Sequence, residues 1–213
     1  MKRKEKRLSS RRRRTLRRVL IAAVTLFLVN RIFLVGLLFP IQAVRRCEER
    51  ESTGRTNLVC REWTPEIYKT GLVYLTENEK VTMLSAVRLS LYGWIEVYGV
   101  PLDCTEEGPI HGGWWTLYRE GEPFRLYVFG RIDDPDIDRL KILWTIEGDG
   151  DSDMWVVSDS GEWMERDGRR YFLCSFGNAN AAAYKFPLVV GCDKEGNELA
   201  RVALEQGAFS VSS

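Results

Sequence analysis

The chain has 213 residues, enough for one ordinary folded domain together with a membrane anchor. Its 31 Lys and Arg and 30 Asp and Glu give a net charge of only +1, but this total conceals a strong asymmetry along the chain. The single histidine excludes a multi-histidine metal site. The cysteines form neither a CxxC pair nor a Cys/His cluster, which argues against structural zinc.

The N-terminal tail, residues 1–18, is strongly basic. It contains eleven Lys or Arg and one Glu, a net charge of +10, whereas the chain from residue 32 onward carries −10. Because Lys and Arg are retained in the cytoplasm, this order predicts a cytoplasmic tail and an extracytoplasmic body. Contact with anionic lipid is expected for Arg11, Arg12, Arg13 and Arg14, with a topology signal alone as the alternative. Tethering at the membrane favours lipid, and nucleic acid is not expected as a partner.

An apolar stretch follows the tail, and residues 19–39 are predicted to form a single transmembrane helix of roughly 30 Å. Fifteen Leu, Ile, Val and Phe residues outweigh the cost of Asn30 and Arg31, which for an arginine is roughly 2.5–3.5 kcal/mol. A cleaved signal peptide and a helix lying on the membrane are the alternatives, although no small-x-small cleavage site follows the first apolar run. Arg31 could pair with an acidic partner helix, or it could snorkel to the interface.

The remaining chain divides into a polar segment and a larger body. Residues 40–64 are rich in Arg and Glu without a sustained apolar period, and they predict a juxtamembrane stalk. Residues 65–213 are predicted to form an extracytoplasmic β domain. Within it, residues 74–91 fit either a helical face or a strand period, and the β-branched and aromatic residues that follow favour strand.

From Trp114 onward, short aromatic and β-branched runs alternate with Gly- and Asp-containing turns, which is typical of an antiparallel β-sandwich. The expected strands cover residues 114–119, 124–132, 137–146, 154–158, 169–176, 184–192 and 197–204. The last two, joined at Asp193-Lys-Glu-Gly, resemble the terminal hairpin of immunoglobulin-like extracytoplasmic modules. That resemblance implies an immunoglobulin-like fold class and carries over no functional residue.

Two groups of residues suggest sites of their own. Cys47 and Cys60 flank a polar loop, and an oxidising compartment would allow a disulfide between them; burial as unbridged apolar residues is the alternative. Asp149, Asp151 and Asp153 occupy alternate positions, as the first three ligands of a calcium-binding loop do. Such a loop also requires a Gly and a bidentate Glu, but this chain has Met154 in place of the Gly and Ser160 in place of the Glu. A solvated polar loop is therefore favoured, and a second acidic group near Pro135 is expected to be a turn.

No recognisable catalytic motif is present. The lone His111 could act as a general base beside a Ser or Cys, but no GxSxG or SxxK element accompanies it, and a loop residue is expected. The glycines that follow it lack the context of a phosphate-binding loop, so no cofactor is predicted. The seven tryptophans are expected to pack in the core rather than to form a ligand platform.

These features favour a non-enzymatic, membrane-anchored envelope protein of bacterial type, whose β domain is a binding or structural module. Its predicted partners are the lipid bilayer and a further membrane protein. One alternative is a transmembrane sensor or regulatory subunit that works through a partner helix at Arg31. A second alternative is an enzyme of unrecognised type.

Overall fold

The computed structural model describes residues 2–33, 37–64, 71–91, 93–119, 122–146, 154–160, 163–177 and 184–206. Two helices, α1 (Lys2–Phe33) and α2 (Pro40–Arg50), precede the strands. Neither of these described helices combines the length and the apolar character needed to cross a membrane. The predicted transmembrane helix at 19–39 is thus unsupported as an element, since helix α1 ends at Phe33 and Leu37 already pairs with a strand of the body.

The rest of the described chain is almost entirely strand. The strands are β1 (Asn57–Thr64), β2 (Gly71–Glu77), β3 (Val81–Ser90), β4 (Gly93–Asp103), β5 (Ile110–Arg119), β6 (Glu122–Ile132), β7 (Arg139–Ile146), β8 (Met154–Ser160), β9 (Met164–Arg166), β10 (Arg169–Gly177), β11 (Tyr184–Cys192), β12 (Glu198–Ala203) and β13 (Glu205–Gln206). The predicted mainly β, antiparallel class is confirmed, and so is the preference for strand over helix in 74–91.

The strands form three sheets. The first sheet is the meander β1-β2-β3-β4, the second has the order β13-β5-β6-β10-β9, and the third has the order β12-β11-β7-β8. Every pairing is antiparallel except that of the short β13 with β5. The chain crosses repeatedly between the second and third sheets, from β6 to β7, from β8 to β9, from β10 to β11 and from β12 to β13.

The sheets are stacked in layers, with the second sheet in the middle. Between the first and second sheets lies an apolar cluster that includes Leu75, Trp115 and Phe129. A separate cluster, which includes Val128 and Trp144, lies between the second and third sheets. The predicted two-sheet body is therefore corrected to three layered sheets, because both faces of the second sheet are apolar and each must be covered.

Strand β6 shows why the second sheet is central. Its residues from Leu126 to Ile132 are all buried, with no alternation between buried and exposed positions. Tyr127 and Phe129 pack toward the first sheet, whereas Leu126 and Val128 pack toward the third. A continuous apolar run is the pattern of a strand that is covered on both faces.

Helix α2 covers the outer face of the first sheet. Pro40 occupies its first turn, and the Gln42 side chain accepts a hydrogen bond from the Phe39 amide, with Phe39 N to Gln42 Oε1 at 3.2 Å. Ala43, Val44 and Cys47 are fully buried against the sheet. The predicted stalk at 40–64 is therefore wrong: this segment supplies both a packed helix and strand β1, and its polar residues occupy the outer side of an amphipathic helix.

The buried carboxylate of Glu48 links α2 to the start of β1 through hydrogen bonds. Glu48 is 4 % exposed, and it accepts hydrogen bonds from the backbone amide of Thr56, at 3.2 Å, and from the Thr56 hydroxyl. Arg45 pairs with the same carboxylate and also donates to the Thr56 carbonyl oxygen, at 2.6 Å. These contacts hold the loop after α2 in place, so that strand β1 starts at a defined position beside the helix.

Alkaline pH is expected to destabilise this body. Burial raises the pKa of the Cys47 thiol from 9.0 to about 12 and that of the Tyr127 phenol from 10.0 to about 12. Above pH 9 the unfolded chain therefore binds fewer protons than the folded chain, and the free energy of unfolding falls as pH rises toward 12. Urea midpoints at pH 8, 10 and 11 will measure this fall. Cys47→Ala should make it shallower, and an unchanged pH dependence in that variant would contradict the assignment to Cys47.

Candidate binding cleft

His111 lies on strand β5 rather than in the predicted loop. Residues directly opposite each other on adjacent strands put His111 of β5, Arg131 of β6 and Tyr171 of β10 in one row across the second sheet. The row lies on the face that carries Trp115, Tyr127 and Phe129, which is turned toward the first sheet. A polar row thus lies at one end of an otherwise apolar interface between layers.

Asp133 connects two members of this row. Its Oδ2 atom lies 2.6 Å from Arg131 Nη2, 3.1 Å from Arg131 Nε and 3.2 Å from His111 Nε2. The His111 side chain is only 10 % exposed and that of Arg131 6 %. A carboxylate that accepts two guanidinium hydrogen bonds forms a strong, directional pair, which holds Asp133 beside the imidazole.

Arg131 also joins the second sheet to the end of the first. Its Nη2 atom donates to the carbonyl oxygen of Cys104, just past β4, at 3.1 Å. Burial opposes the charge on the guanidinium, but the hydrogen bonds to Asp133 outweigh it and raise the pKa of Arg131. The guanidinium is therefore charged at any pH at which the protein is folded, and it acts as a permanent link between the layers.

Tyr171, the third residue of the row, is shielded from solvent more completely than His111. Its side chain is fully buried, and burial, followed by the nearby Glu77 carboxylate, raises the pKa of the phenol to about 12. Glu77 itself is buried on β2 and lies 3.7 Å from Arg169 and 4.0 Å from Arg166, measured between side-chain nitrogen and oxygen atoms. These pairs come from different sheets, so they strengthen the same end of the interface between layers.

His111, the residue at the end of this row, lines a surface cleft of about 480 Å³. The cleft lies between the end of β4, the start of β5 and strand β12, and its lining includes His111, Gly108 and Val202. Three acidic residues, Asp103, Glu106 and Glu107, are exposed at its rim. Hydrogen bonds from Thr105 lower the pKa of Asp103, and the proximity of His111 lowers it further. The rim is therefore anionic at neutral pH.

The thiol near the cleft is poorly suited to act as a nucleophile. Cys104, the nearest thiol along the chain, donates toward Thr82 Oγ1 at 3.5 Å, and its pKa is raised by burial. A thiol with a raised pKa is a poor nucleophile, because the thiolate is the reactive form. Among the described residues, no group of three or more His, Cys, Asp or Glu side chains is placed to hold a metal ion.

The arginines singled out by sequence belong to the N-terminal helix, not to the strands that frame the cleft. Arg11, Arg12, Arg13, Arg14 and Arg31 are all on helix α1. The side chains of Arg12, Arg13 and Arg14 are exposed, whereas nothing is described of the side chains of the other two. Asp149, Asp151 and Asp153 lie outside the described residues, as does the proposed calcium loop they would form.

The expected disulfide is wrong. All five cysteines carry free thiols. Cys47 packs on the outer face of the first sheet with Met83 and Val87, whereas Cys60 packs on the inner face, toward the second sheet. Because the sheet lies between them, no adjustment of the loop alone would bring the two sulfur atoms to bonding distance.

Sequence reasoning missed the pairing of His111 with Arg131 and Asp133. The one available signal was Arg131 itself, a charged residue inside the apolar run of β6, because a buried charge requires a partner.

The tryptophans were expected to pack in the core, and Trp115 and Trp144 are buried core residues. Trp63, however, is 54 % exposed on strand β1.

Comparison of the chain with known proteins finds no matching family model, no matching curated protein and no matching solved structure.

Proposed function

We propose that this chain is a non-enzymatic, membrane-attached module of a bacterial-type envelope, in which helix α1 enters the lipid bilayer and the β body binds a ligand or partner. The observation that carries the proposal is the exposure of apolar side chains on α1. From Leu16 to Val29 the large hydrophobic residues are 46–75 % exposed, and they include the consecutive Val19, Leu20 and Ile21.

The residues from Val19 to Val29 point in all directions around the helix, because successive residues are about 100° apart, and Thr25 is the one polar residue among them. A helix that is apolar on every side is stable only when apolar surroundings cover it, and lipid is such a surrounding. The body offers no such cover, since every described side chain from Arg12 to Val29 is exposed. The arginines at the start of α1 favour an orientation in which the tail stays at the cytoplasmic face.

The cleft at His111 supports the second half of the proposal. It combines a concave surface, the largely buried His111 imidazole beside the Asp133 carboxylate, and an anionic rim. Ligand sites commonly take this form of a preformed concavity with a few oriented polar groups. The cysteines with raised pKa values described above do not favour an enzyme that works through a thiolate.

Substitution of two apolar residues of α1 by aspartate tests the membrane attachment. For the variant Leu20→Asp/Val24→Asp we expect at least a tenfold loss of full-length protein from vesicle co-sedimentation. Each aspartate costs roughly 2.5–3.5 kcal/mol at the centre of a membrane-inserted helix. The matched control is Leu199→Asp, which changes an exposed leucine of the body and should leave binding unchanged. Equal co-sedimentation of all three proteins would rule out attachment through α1.

A further inference from the structure

The end of the first sheet that receives the chain from α1 carries an apolar rim, formed by Leu37, Leu38, Phe39, Leu89, Leu91 and Trp94. Leu37 and Trp94 exchange two backbone hydrogen bonds, with N to O distances of 2.8 and 2.7 Å. Trp94 is in turn paired with Leu89 on β3. Because neighbouring strands are about 4.8 Å apart, these backbones form one continuous strip.

Several side chains of the apolar rim are exposed to a degree that is unusual for their type. Leu91, in the turn between β3 and β4, is 98 % exposed, and Phe39 and Leu38 are 60 % and 48 % exposed. Single exposed leucines are ordinary on protein surfaces, but adjacent exposed leucines and a phenylalanine mark an interaction surface. The question is which partner covers them.

The position of the apolar rim along the chain points to lipid. Helix α1 ends at Phe33, and Leu37 is already hydrogen-bonded to β4. Four residue steps span at most about 14 Å, so the rim is held within that distance of the end of the membrane-attached helix. No other part of the described body is tied so closely to α1.

The length of the apolar part of α1 gives a second reason. Residues 19–33, which are apolar except for Thr25, Asn30 and Arg31, form about 22 Å of helix, whereas the hydrocarbon core of a bilayer is about 30 Å thick. An apolar segment that is too short draws its flanking residues into the membrane. At the end of α1 nearest the body, the first apolar side chains available to make up the difference are those of the rim.

Charge along the first sheet and α2 gives a third reason. Among the described residues in 37–42, 88–91 and 93–95 there is no acidic residue and one basic residue, Arg88. Glu79, Asp103, Glu106 and Glu107 are exposed at the opposite end of the sheet, and Glu96, the acidic residue of β4 nearest the apolar rim, is paired with Arg46 at 3.8 Å. An anionic lipid surface attracts the first end and repels the second.

We infer that the apolar rim is a lipid-binding surface that inserts into the interface of the bilayer beside α1 and orients the β body on the membrane. This inference rests on the proposed attachment through α1. Insertion of the apolar rim also sets the distance of the cleft from the membrane. Val81, which is paired with Asp103, lies eight residues before Leu89 on β3. At about 3.3 Å per residue, the acidic rim of the cleft lies roughly 26 Å from the apolar rim, and it faces away from the membrane.

Environment-sensitive labels on the full-length chain in vesicles of phosphatidylcholine and phosphatidylglycerol test the inference. An NBD fluorophore is attached in turn to Leu91→Cys, to Val24→Cys on α1 and to Leu199→Cys on β12, and each is exposed to brominated lipids. The three leucine or valine positions are all exposed in the structure. The unsubstituted chain, treated identically, gives the background from the five native thiols.

We expect at least twofold quenching by brominated lipid at positions 24 and 91 and none at position 199. Quenching at position 24 without quenching at 91 overturns the apolar rim and leaves attachment through α1 standing. Absence of quenching at position 24 overturns the attachment and the rim together. A blue-shifted but unquenched label at position 91 would mean that a protein, such as a second copy of the chain, covers the rim instead of lipid.

Discussion

Glu48→Ala is expected to lower the free energy of unfolding of the body by roughly 3 kcal/mol, which is the order found when one partner of a buried, hydrogen-bonded ion pair is removed. The carboxylate accepts from the amide and the hydroxyl of Thr56 and pairs with Arg45. Its loss leaves these donors without their acceptor in a place where Glu48 is only 4 % exposed. The connection between α2 and β1 should loosen first.

Urea unfolding of the detergent-solubilised full-length chain, followed by tryptophan fluorescence, will measure this effect. Glu49→Ala is the matched control, because Glu49 is the next residue of the same helix and is exposed. Its midpoint should stay close to that of the unsubstituted protein. Glu48→Gln should fall between the two, since an amide oxygen still accepts a hydrogen bond but carries no charge to pair with Arg45. Equal midpoints for Glu48→Ala and Glu49→Ala would contradict the role assigned to the buried carboxylate.

Gly130→Ala is the second substitution with a large expected effect, a destabilisation of about 3 kcal/mol, at the upper end of overpacking costs. A Cβ atom at this position would lie 2.0 Å from the carbonyl oxygen of His111 and 2.7 Å from Cζ of Phe172. The first of these atoms belongs to the backbone of the neighbouring strand, so it moves only if the ladder between β5 and β6 is distorted. The row that holds His111 beside Arg131 would be displaced with it.

Gly112→Ala is the matched control for this second prediction. Gly112 is paired with Gly130 in the same ladder, and its nearest neighbour would be Cδ2 of Leu204, at 2.6 Å. That methyl group ends a flexible side chain, which rotates away at a smaller cost. Urea midpoints should therefore fall much further for Gly130→Ala than for Gly112→Ala. A larger fall of the urea midpoint for Gly112→Ala than for Gly130→Ala would contradict this prediction. It would show that the backbone around His111 shifts more readily than the packing indicates.

The strands could be predicted from the sequence because the residue patterns that indicate them are local. Alternating apolar residues and turns such as Asp167-Gly168 are contained within about ten residues, and in the structure both residues of this turn adopt positive φ, of 50° and 75°. Strand β7 shows the alternation expected of a strand, with Leu140, Ile142 and Trp144 buried. In strand β11 a register shift between Lys185 and Leu188 interrupts the alternation, and the adjacent Val189 and Val190 are both buried.

The segment 40–64 was misassigned for a different reason. An eleven-residue helix such as α2 is only marginally stable by itself, and its few apolar residues, Ala43, Val44 and Cys47, give a weak periodic signal among many charges. What makes it a helix of the body is the outer face of the first sheet, whose apolar residues need a cover. The sequence of α2 contains no record of that face, since Tyr74, Met83 and Val87 lie more than twenty residues beyond its last residue, Arg50.

Local sequence patterns are enough to derive the charge asymmetry of the chain, the mainly β character of its body and most of the strand positions, because each depends on residues that are neighbours in the chain. Only the folded chain shows that the sheets form three layers, that Cys47 and Cys60 lie on opposite faces, and that His111 lies beside Arg131 and Asp133. These are contacts between distant segments. They depend on which faces the layers cover together, a property of the assembled sheets that no single stretch of sequence contains.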